Sequence, residues 1–269
     1  MYKLIAIDMD GTLLNSKKEL TKETKDALIA ARKKGVYIVL ASGRPTEGIM
    51  SFVNELELNS NDDYVLSYNG CLVQKTKSKE IISNTTLTGK ELKYLYGISK
   101  ELNLNIHAFS EKRGLITPKH SKYTYVEAEL NGIDISIVDF DTVPDDEIIV
   151  KVMMIDEPSI LDAGMKHLPK EVYDIFSIAK STPYFLEFFN KESNKFVGVS
   201  KLAEYLGIKN EEVITIGDAM NDFPMIEQAG LGIAMGNAVD KIKEVSKYIT
   251  DTNDNNGVAK AVEKFILNI

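Results

Sequence analysis

Through the first 84 residues, short apolar runs alternate with stretches whose apolar positions recur at helical spacing. Leu4 to Ile7 is apolar throughout, the pattern of a strand buried on both faces. Leu20, Ala27, Leu28 and Ala31 then recur at helical spacing up to a stop at Gly35, with Thr21 as the N-cap. Val36 to Ala41 reads as a second strand, Ser42-Gly43-Arg44-Pro45 leads into a helix reaching about Leu56, and Tyr64 to Ser67 reads as a third strand. Strand and helix in alternation with short connections predict an α/β fold: a doubly wound, mostly parallel, Rossmann-like sheet. Asn69-Gly70 then predicts a turn into a hairpin, Cys71 to Gln74 against Ile81 to Asn84.

From about Thr85 to Phe189 the rhythm breaks. Helical patterns near Lys90 to Leu102 and Ser159 to Leu168 are interleaved with strand patterns at Asn105 to Ala108, Ile148 to Met154, Tyr173 to Ala179 and Tyr184 to Phe188. Afterwards the βα alternation resumes: a helix from Lys195 to Gly207, a strand from Glu212 to Gly217, a helix after Asp218, and a strand from Leu231 to Met235. Two helices, near Val239 to Val245 and Val258 to Leu267, flank a short strand at Tyr248-Ile249. This organisation predicts a core domain in two parts, 1–84 and 190–269, with an inserted α+β cap domain over 85–189.

Composition narrows the function classes. The chain has 269 residues and a formal net charge of -8, which argues against nucleic acid or an anionic membrane as partner and is compatible with Mg²⁺ as a carried ion. The amino terminus runs straight into a strand with no signal-peptide h-region, and no apolar run approaches the ~20 residues of a membrane span; a cytoplasmic location is expected. The single cysteine, Cys71, excludes an internal disulfide and reads as buried packing. His107, His120 and His167 lack ligand spacing, Glu111-Lys112-Arg113 reads as a solvated loop, and the aromatics from Tyr184 to Phe189 read as core.

The candidate chemistry lies at element ends. Asp8 and Asp10 close the first apolar strand, where open α/β sheets bind ligands and where unpartnered carboxylates would be costly. Taken alone, Asp10-Gly11 is also a plain turn, Ser42-Gly43 a helix-starting turn, and Asn221-Asp222 ahead of Pro224 a capping sequence. Lys195 fits a structural role less well, because an ammonium in the first turn opposes the helix dipole by ~0.3–1 kcal/mol. Two carboxylates with Asp218, a hydroxyl, an ammonium and the backbone N–H groups around Gly11 and Gly43 make an inventory for phosphoryl transfer. Neither a Walker lysine loop nor G-x-G-x-x-G is present, so no nucleotide cofactor is expected.

Asp8-Met9-Asp10-Gly11-Thr12, Ser42-Gly43-Arg44, Lys195 and Gly217-Asp218-Ala219-Met220-Asn221-Asp222 resemble the four ordered motifs of the haloacid dehalogenase-like phosphatases. The inserted middle segment, with Asn69-Gly70 before it and Met235-Gly236-Asn237-Ala238 after it, resembles the Cof-type sugar-phosphate phosphatases. The resemblance implies a Mg²⁺-dependent phosphatase acting on small phosphorylated metabolites, with the insertion closing over the core as a lid that sets substrate choice. It implies Asp8 as nucleophile, forming an aspartyl-phosphate, and Asp10 as general acid and base, its pKa raised by the bound phosphate and partial desolvation. Metal ligands are then Asp8, Asp218 and the backbone carbonyl of Asp10. Met9, Ser42, Gly43, Lys195 and Asn221 hold the substrate phosphate, and Thr12, Arg44 and Asp222 support the site from one layer out. Two other readings stay open: a phosphosugar mutase using the same intermediate, and a signalling receiver whose aspartate accepts phosphate without turnover.

Overall fold

The computed structural model of the protein describes residues 1–268. No helix among them is long and apolar enough to cross a membrane. The chain forms two compact units, Met1–Asn84 with Asn194–Ile269, and Thr85–Ser193.

The first unit is built on an eight-stranded sheet. In spatial order its strands are Tyr248–Ile249, Leu231–Ala234, Val213–Gly217, Leu4–Ile7, Tyr37–Ala41, Tyr64–Ser67, Leu72–Lys75 and Ile81–Asn84. The first six run parallel, and the last two add an antiparallel hairpin. Leu4–Ile7 lies in the middle, fully buried, because its alternate residues face two separate cores. Ile5 and Ile7 pack with Ala27, Leu28 and Ala31 of the helix Lys22–Lys33, whereas Leu4 and Ala6 pack with Val199 and Leu202 of the helix Lys195–Tyr205. Helices therefore cover both faces, and all parallel strands end on one rim.

One close approach fixes where the Lys195 helix starts. Gly70 has φ +84°, and a Cβ there would stand 2.6 Å from the Asn194 carbonyl oxygen and 2.9 Å from the Lys195 Cα. Glycine at 70 lets the turn after the third strand touch the backbone that carries Lys195.

The second unit is a predominantly antiparallel sheet in the order Phe176–Thr182, Phe185–Asn190, Ile148–Ile155, Asn105–Ser110, Gly114–Thr117 and Ile135–Ile137, with Leu87–Thr88 paired beside Ile148 and Ile149. Helices Gly89–Glu101 and Pro158–Met165 bury Leu92, Leu95 and Leu161 against one face. Four features depart from the sequence reading. Residues 173–179 are not one strand: a short helix, Lys170–Ile175, precedes a strand that begins only at Phe176. The strands Gly114–Thr117 and Ile135–Ile137 were not anticipated, being only four and three residues long. Nor was the helix Lys122–Asn131, because the residues it buries include Thr124 and Glu127 and form no apolar stripe. Glu127 instead meets Lys151 at 3.3 Å, on the sheet. Arg113, expected in a solvated loop, pairs at 2.7 Å with Glu147, whose side chain is covered.

Thr124 lies 3.3 Å from the Nδ1 of His107, whose Nε2 is 3.1 Å from the Met153 sulfur. Burial, reinforced by the nearby Lys151 charge, pulls the His107 pKa down to about 3. The unfolded chain protonates this imidazole near its ordinary ~6.5, so stability is full above that pH and is lost as pH falls toward the folded value. Between pH 7 and pH 5 the loss is about 2 kcal/mol. In His107→Gln, the drop in denaturant-measured stability of this unit over that interval should shrink by that amount; an unchanged pH slope would show that His107 is not held neutral.

Candidate active site

Asp8 follows directly on the central strand, and its N–H still donates to the Ile216 carbonyl at 3.0 Å, so it leaves the sheet beside Gly217-Asp218. Lys195 enters from the first turn of its helix, whose N-cap Asn194 accepts from the Val197 N–H at 3.0 Å. The Lys195 ammonium is wholly buried and donates to Asp8 Oδ1 and, at 2.6 Å, to Asp222 Oδ1. Asp222 Oδ2 accepts from the N–H groups of Asp218 and Ala219, both at 3.0 Å. Asp218 Oδ1 accepts the Thr12 hydroxyl at 2.8 Å. Carboxylate oxygens of Asp8, Asp218 and Asp222 all lie within 4.8 Å of one another.

Two carboxylates, Asp8 and Asp222, thus share one ammonium, with a third, Asp218, beside them in a largely buried space. Burial pushes the Asp8 pKa up to about 7 against the pull of Lys195, with Asp222 and Asp218 adding repulsion. Burial also raises Asp218, opposed by the bond from Thr12. Burial alone would depress Lys195, but the charges of Asp8 and Asp222 outweigh it and its pKa is raised. An excess of negative oxygen with no nitrogen or sulfur ligand fits a hard divalent cation. Of the three, Asp222 has both oxygens committed to Lys195 and the backbone, which leaves Asp8 and Asp218 as the side chains able to face an ion.

The model of the haloacid dehalogenase-like hydrolases matches residues 5–262. The chain belongs to that family. YxeH of Bacillus subtilis (strain 168) is 42% identical to it over 269 residues, covering 99% of both chains. YcsE of the same organism, named a 5-amino-6-(5-phospho-D-ribitylamino)uracil phosphatase, is 32% identical over 268 residues, covering 98% of this chain and 96% of its own. A solved haloacid dehalogenase-like hydrolase from Bacteroides thetaiotaomicron superposes with a TM-score of 0.83 at 37% identity, covering 98% of this chain and 99% of that one. The protein is an enzyme, a haloacid dehalogenase-like phosphatase.

The hydrolase holds Asp10 apart from the carboxylate cluster. Arg44 grips it through Nη2 to Oδ1 at 2.7 Å and Nε to Oδ2 at 2.9 Å, and Lys18 donates to Oδ1 at 2.8 Å. Burial works to raise the Asp10 pKa, but the bonds from Arg44 and Lys18 outweigh it and hold the carboxyl below its ordinary range. The rise expected from sequence belongs to the phosphate-bound site and did not take account of these two cations, which Asp10 meets through Arg44 and Lys18. Arg44 is itself fixed: its Nη1 donates to the Gly48 carbonyl at 3.3 Å, and its guanidinium lies 5.7 Å from the Phe52 ring centroid. Lys18, at φ +64°, was invisible in sequence because its ion partner is eight residues away in an irregular loop.

Ser42 and Gly43 follow the strand Tyr37–Ala41, with the Ser42 N–H on the Leu66 carbonyl at 2.9 Å and its hydroxyl oxygen accepting from the Arg44 N–H at 3.1 Å. Asn69 donates its N–H to the Ser42 carbonyl at 2.8 Å, and its side-chain oxygen accepts from Asn221 Nδ2 at 3.0 Å. Asn69 therefore ties the second motif to the fourth, a role that the sequence reading, which took it as a turn residue, missed. The Met9 side chain lies in the core, and its carbonyl accepts the N–H of Leu14 at 2.9 Å. Gly11, at φ +86°, allows Asp218 to come close, since a Cβ there would lie 2.5 Å from Asp218 Oδ2.

Proposed function

We propose that this phosphatase is a Mg²⁺-dependent enzyme of the cytoplasm that hydrolyses phosphomonoesters of small metabolites, sugar phosphates among them, through an aspartyl-phosphate on Asp8. The observation that carries the reading is the meeting of Asp8, Asp218 and Lys195 at one strand-end rim, with carboxylate oxygens within 4.8 Å. The substrate class is supported by the relative YcsE, whose named substrate bears its phosphate on a ribityl chain, a sugar-derived polyol.

Asp8 Oδ attacks phosphorus while the bond from phosphorus to the leaving oxygen breaks, and Asp10 delivers a proton to that oxygen. Water then attacks the aspartyl-phosphate, Asp10 takes its proton, and inorganic phosphate leaves with Asp8 restored. Asp10 in its bracket of Arg44 and Lys18 is ionised, the state needed to accept the proton of water. As the acid it must first take up a proton, which the arriving phosphate charge favours. Lys195, the Ser42 hydroxyl, the N–H groups of Met9 and Gly43, and Asn221 take the phosphate oxygens, stabilising the charge that spreads over them during transfer. The side chains of Asp8 and Asp218, with the Asp10 carbonyl, would hold Mg²⁺, which supplies charge neutralisation. Asp222 and Thr12 orient Lys195 and Asp218. Substrate choice is assigned to the inserted unit.

A panel of sugar phosphates, nucleotides and pyridoxal phosphate, assayed for released phosphate with and without Mg²⁺, tests this. Release from several sugar phosphates, lost on chelation, is expected. Conversion of glucose 1-phosphate to the 6-phosphate without free phosphate would overturn hydrolysis in favour of a mutase.

A further inference from the structure

The residues around the reacting rim are not the only ones that meet the loop after Asp10. Asn237 Nδ2 donates to the Gly11 carbonyl at 2.8 Å, and Asn253 Nδ2 donates to the Leu14 carbonyl at 2.9 Å. Asp254 accepts both the N–H and the hydroxyl of Ser16, at 2.8 and 2.7 Å. The brace is cross-linked, because the Asn253 N–H donates to Asn237 Oδ1 at 3.0 Å. Three side chains more than two hundred residues away thus hold three successive points of one short loop.

The run Asp251-Thr252-Asn253-Asp254-Asn255-Asn256-Gly257 has the oxygen-rich composition of a cation loop. Three of its side chains are spent on the protein instead: Asp251 on Lys260 at 2.6 Å and on the Thr252 N–H at 2.8 Å, Asn253 on Leu14, and Asp254 on Ser16. What they hold is mechanistically placed. The Gly11 carbonyl belongs to the peptide that leads to Thr12, whose hydroxyl orients Asp218. Leu14 is bonded back to Met9, and Asp10 and Leu14 form an isolated bridge. Fixing Gly11 and Leu14 from outside therefore fixes the backbone at Asp10 and the hydroxyl at Thr12.

We propose that Asn237, Asn253 and Asp254 are positioning residues for phosphoryl transfer, bracing the loop Gly11–Ser16 so that the Asp10 backbone and the Thr12 hydroxyl stay in register with Asp8 and Asp218. The proposal deepens the phosphatase reading above and rests on it for its catalytic consequence. Asn237 and Asp254 are exposed, so their bonds contribute little to global stability, and their value lies in geometry.

The test compares Asn253→Ala, Asp254→Ala and Asp254→Asn with the unaltered chain. Amide hydrogen exchange in metal-free protein should accelerate about tenfold or more at Leu13 and Leu14 in the alanine variants, with the strand Leu4–Ile7 unaffected. With p-nitrophenyl phosphate and saturating Mg²⁺, kcat should fall about tenfold or more with KM nearly constant. Asp254→Asn keeps an acceptor for Ser16 and should recover part of both. Unchanged exchange at Leu13 and Leu14 would overturn the brace, and faster exchange with unchanged kcat would overturn its positioning role. Exchange is read without substrate, so an inactive parent chain would sink the phosphatase reading while the exchange data still decided the brace.

Discussion

Asp8→Asn is expected to lower phosphate release by about 10⁴-fold or more, with no loss of stability. An amide has no anionic oxygen to attack phosphorus, so the proposed covalent route closes. The substitution also removes a carboxylate that burial pushes up to about 7 and that Asp218 and Asp222 repel. Lys195 keeps Asp222 at 2.6 Å, so the ammonium does not become unpaired. The variant should melt at the parent temperature or above it, as expected where function is held by strained electrostatics. Asp10→Asn should cost ~10²–10⁴ in turnover of alkyl phosphates. Its loss should be smaller for p-nitrophenyl phosphate, whose leaving group needs no proton. Stopped-flow phosphate release and a thermal melt measure both variants. If Asp10→Asn released phosphate from a sugar phosphate at the parent rate, its acid–base role would be wrong.

The second large effect is on the fold. Lys195→Met is nearly conservative in volume, so little cavity forms, yet it strips the ammonium from Asp8 and Asp222, both buried. Breaking a buried ion pair by removing one partner costs about 3–5 kcal/mol, because the remaining charge has no water to turn to. Two carboxylates are left here, beside a third, and the electrostatic loss dominates the gain in apolar burial. Adding Asp222→Asn to Lys195→Met should recover part of the stability and none of the turnover. Denaturant unfolding followed by a probe in the first unit reads the change, since the two units need not unfold together. A loss below ~1 kcal/mol would show that the ammonium is not what keeps the carboxylates folded.

Much of the first unit was legible in the chain. Leu4 to Ile7, Val36 to Ala41 and Leu231 to Met235 are apolar on consecutive positions because both sheet faces are covered, and such runs stand out from any helical pattern. The second unit was less legible where its pattern is polar. The helix Lys122–Asn131 has an N-cap at Ser121 and a glycine stop at Gly132, but it packs Glu127 onto Lys151 and Thr124 near His107, so no apolar periodicity marks it. Strand-length segments of three or four residues fall below what alternation can resolve.

The candidate site divides in the same way. Local oddity flagged Asp8, Asp10 and Lys195: charge at the end of a buried strand, and an ammonium in a helix's first turn. Nothing local flagged Lys18, Asn253 or Asp254, since each is an ordinary loop residue by type and neighbourhood, and Asn69 stood out only as a turn residue and a mark of the subfamily, not for its bond to Asn221.

By itself, then, the sequence determined the α/β class, the strand ends where chemistry could gather, and the ordered motifs that mark the family, because burial period and turn chemistry are written in neighbouring residues. Only the tertiary structure decided which charges face one another: Arg44 and Lys18 on Asp10, Lys195 between Asp8 and Asp222, and a carboxy-terminal loop on Gly11 to Ser16. Those pairings depend on distances through space between segments up to 239 residues apart, as between Asn253 and Leu14. Coulomb and hydrogen-bond energies are set by such separations and by the loss of water, neither of which local order along the chain encodes.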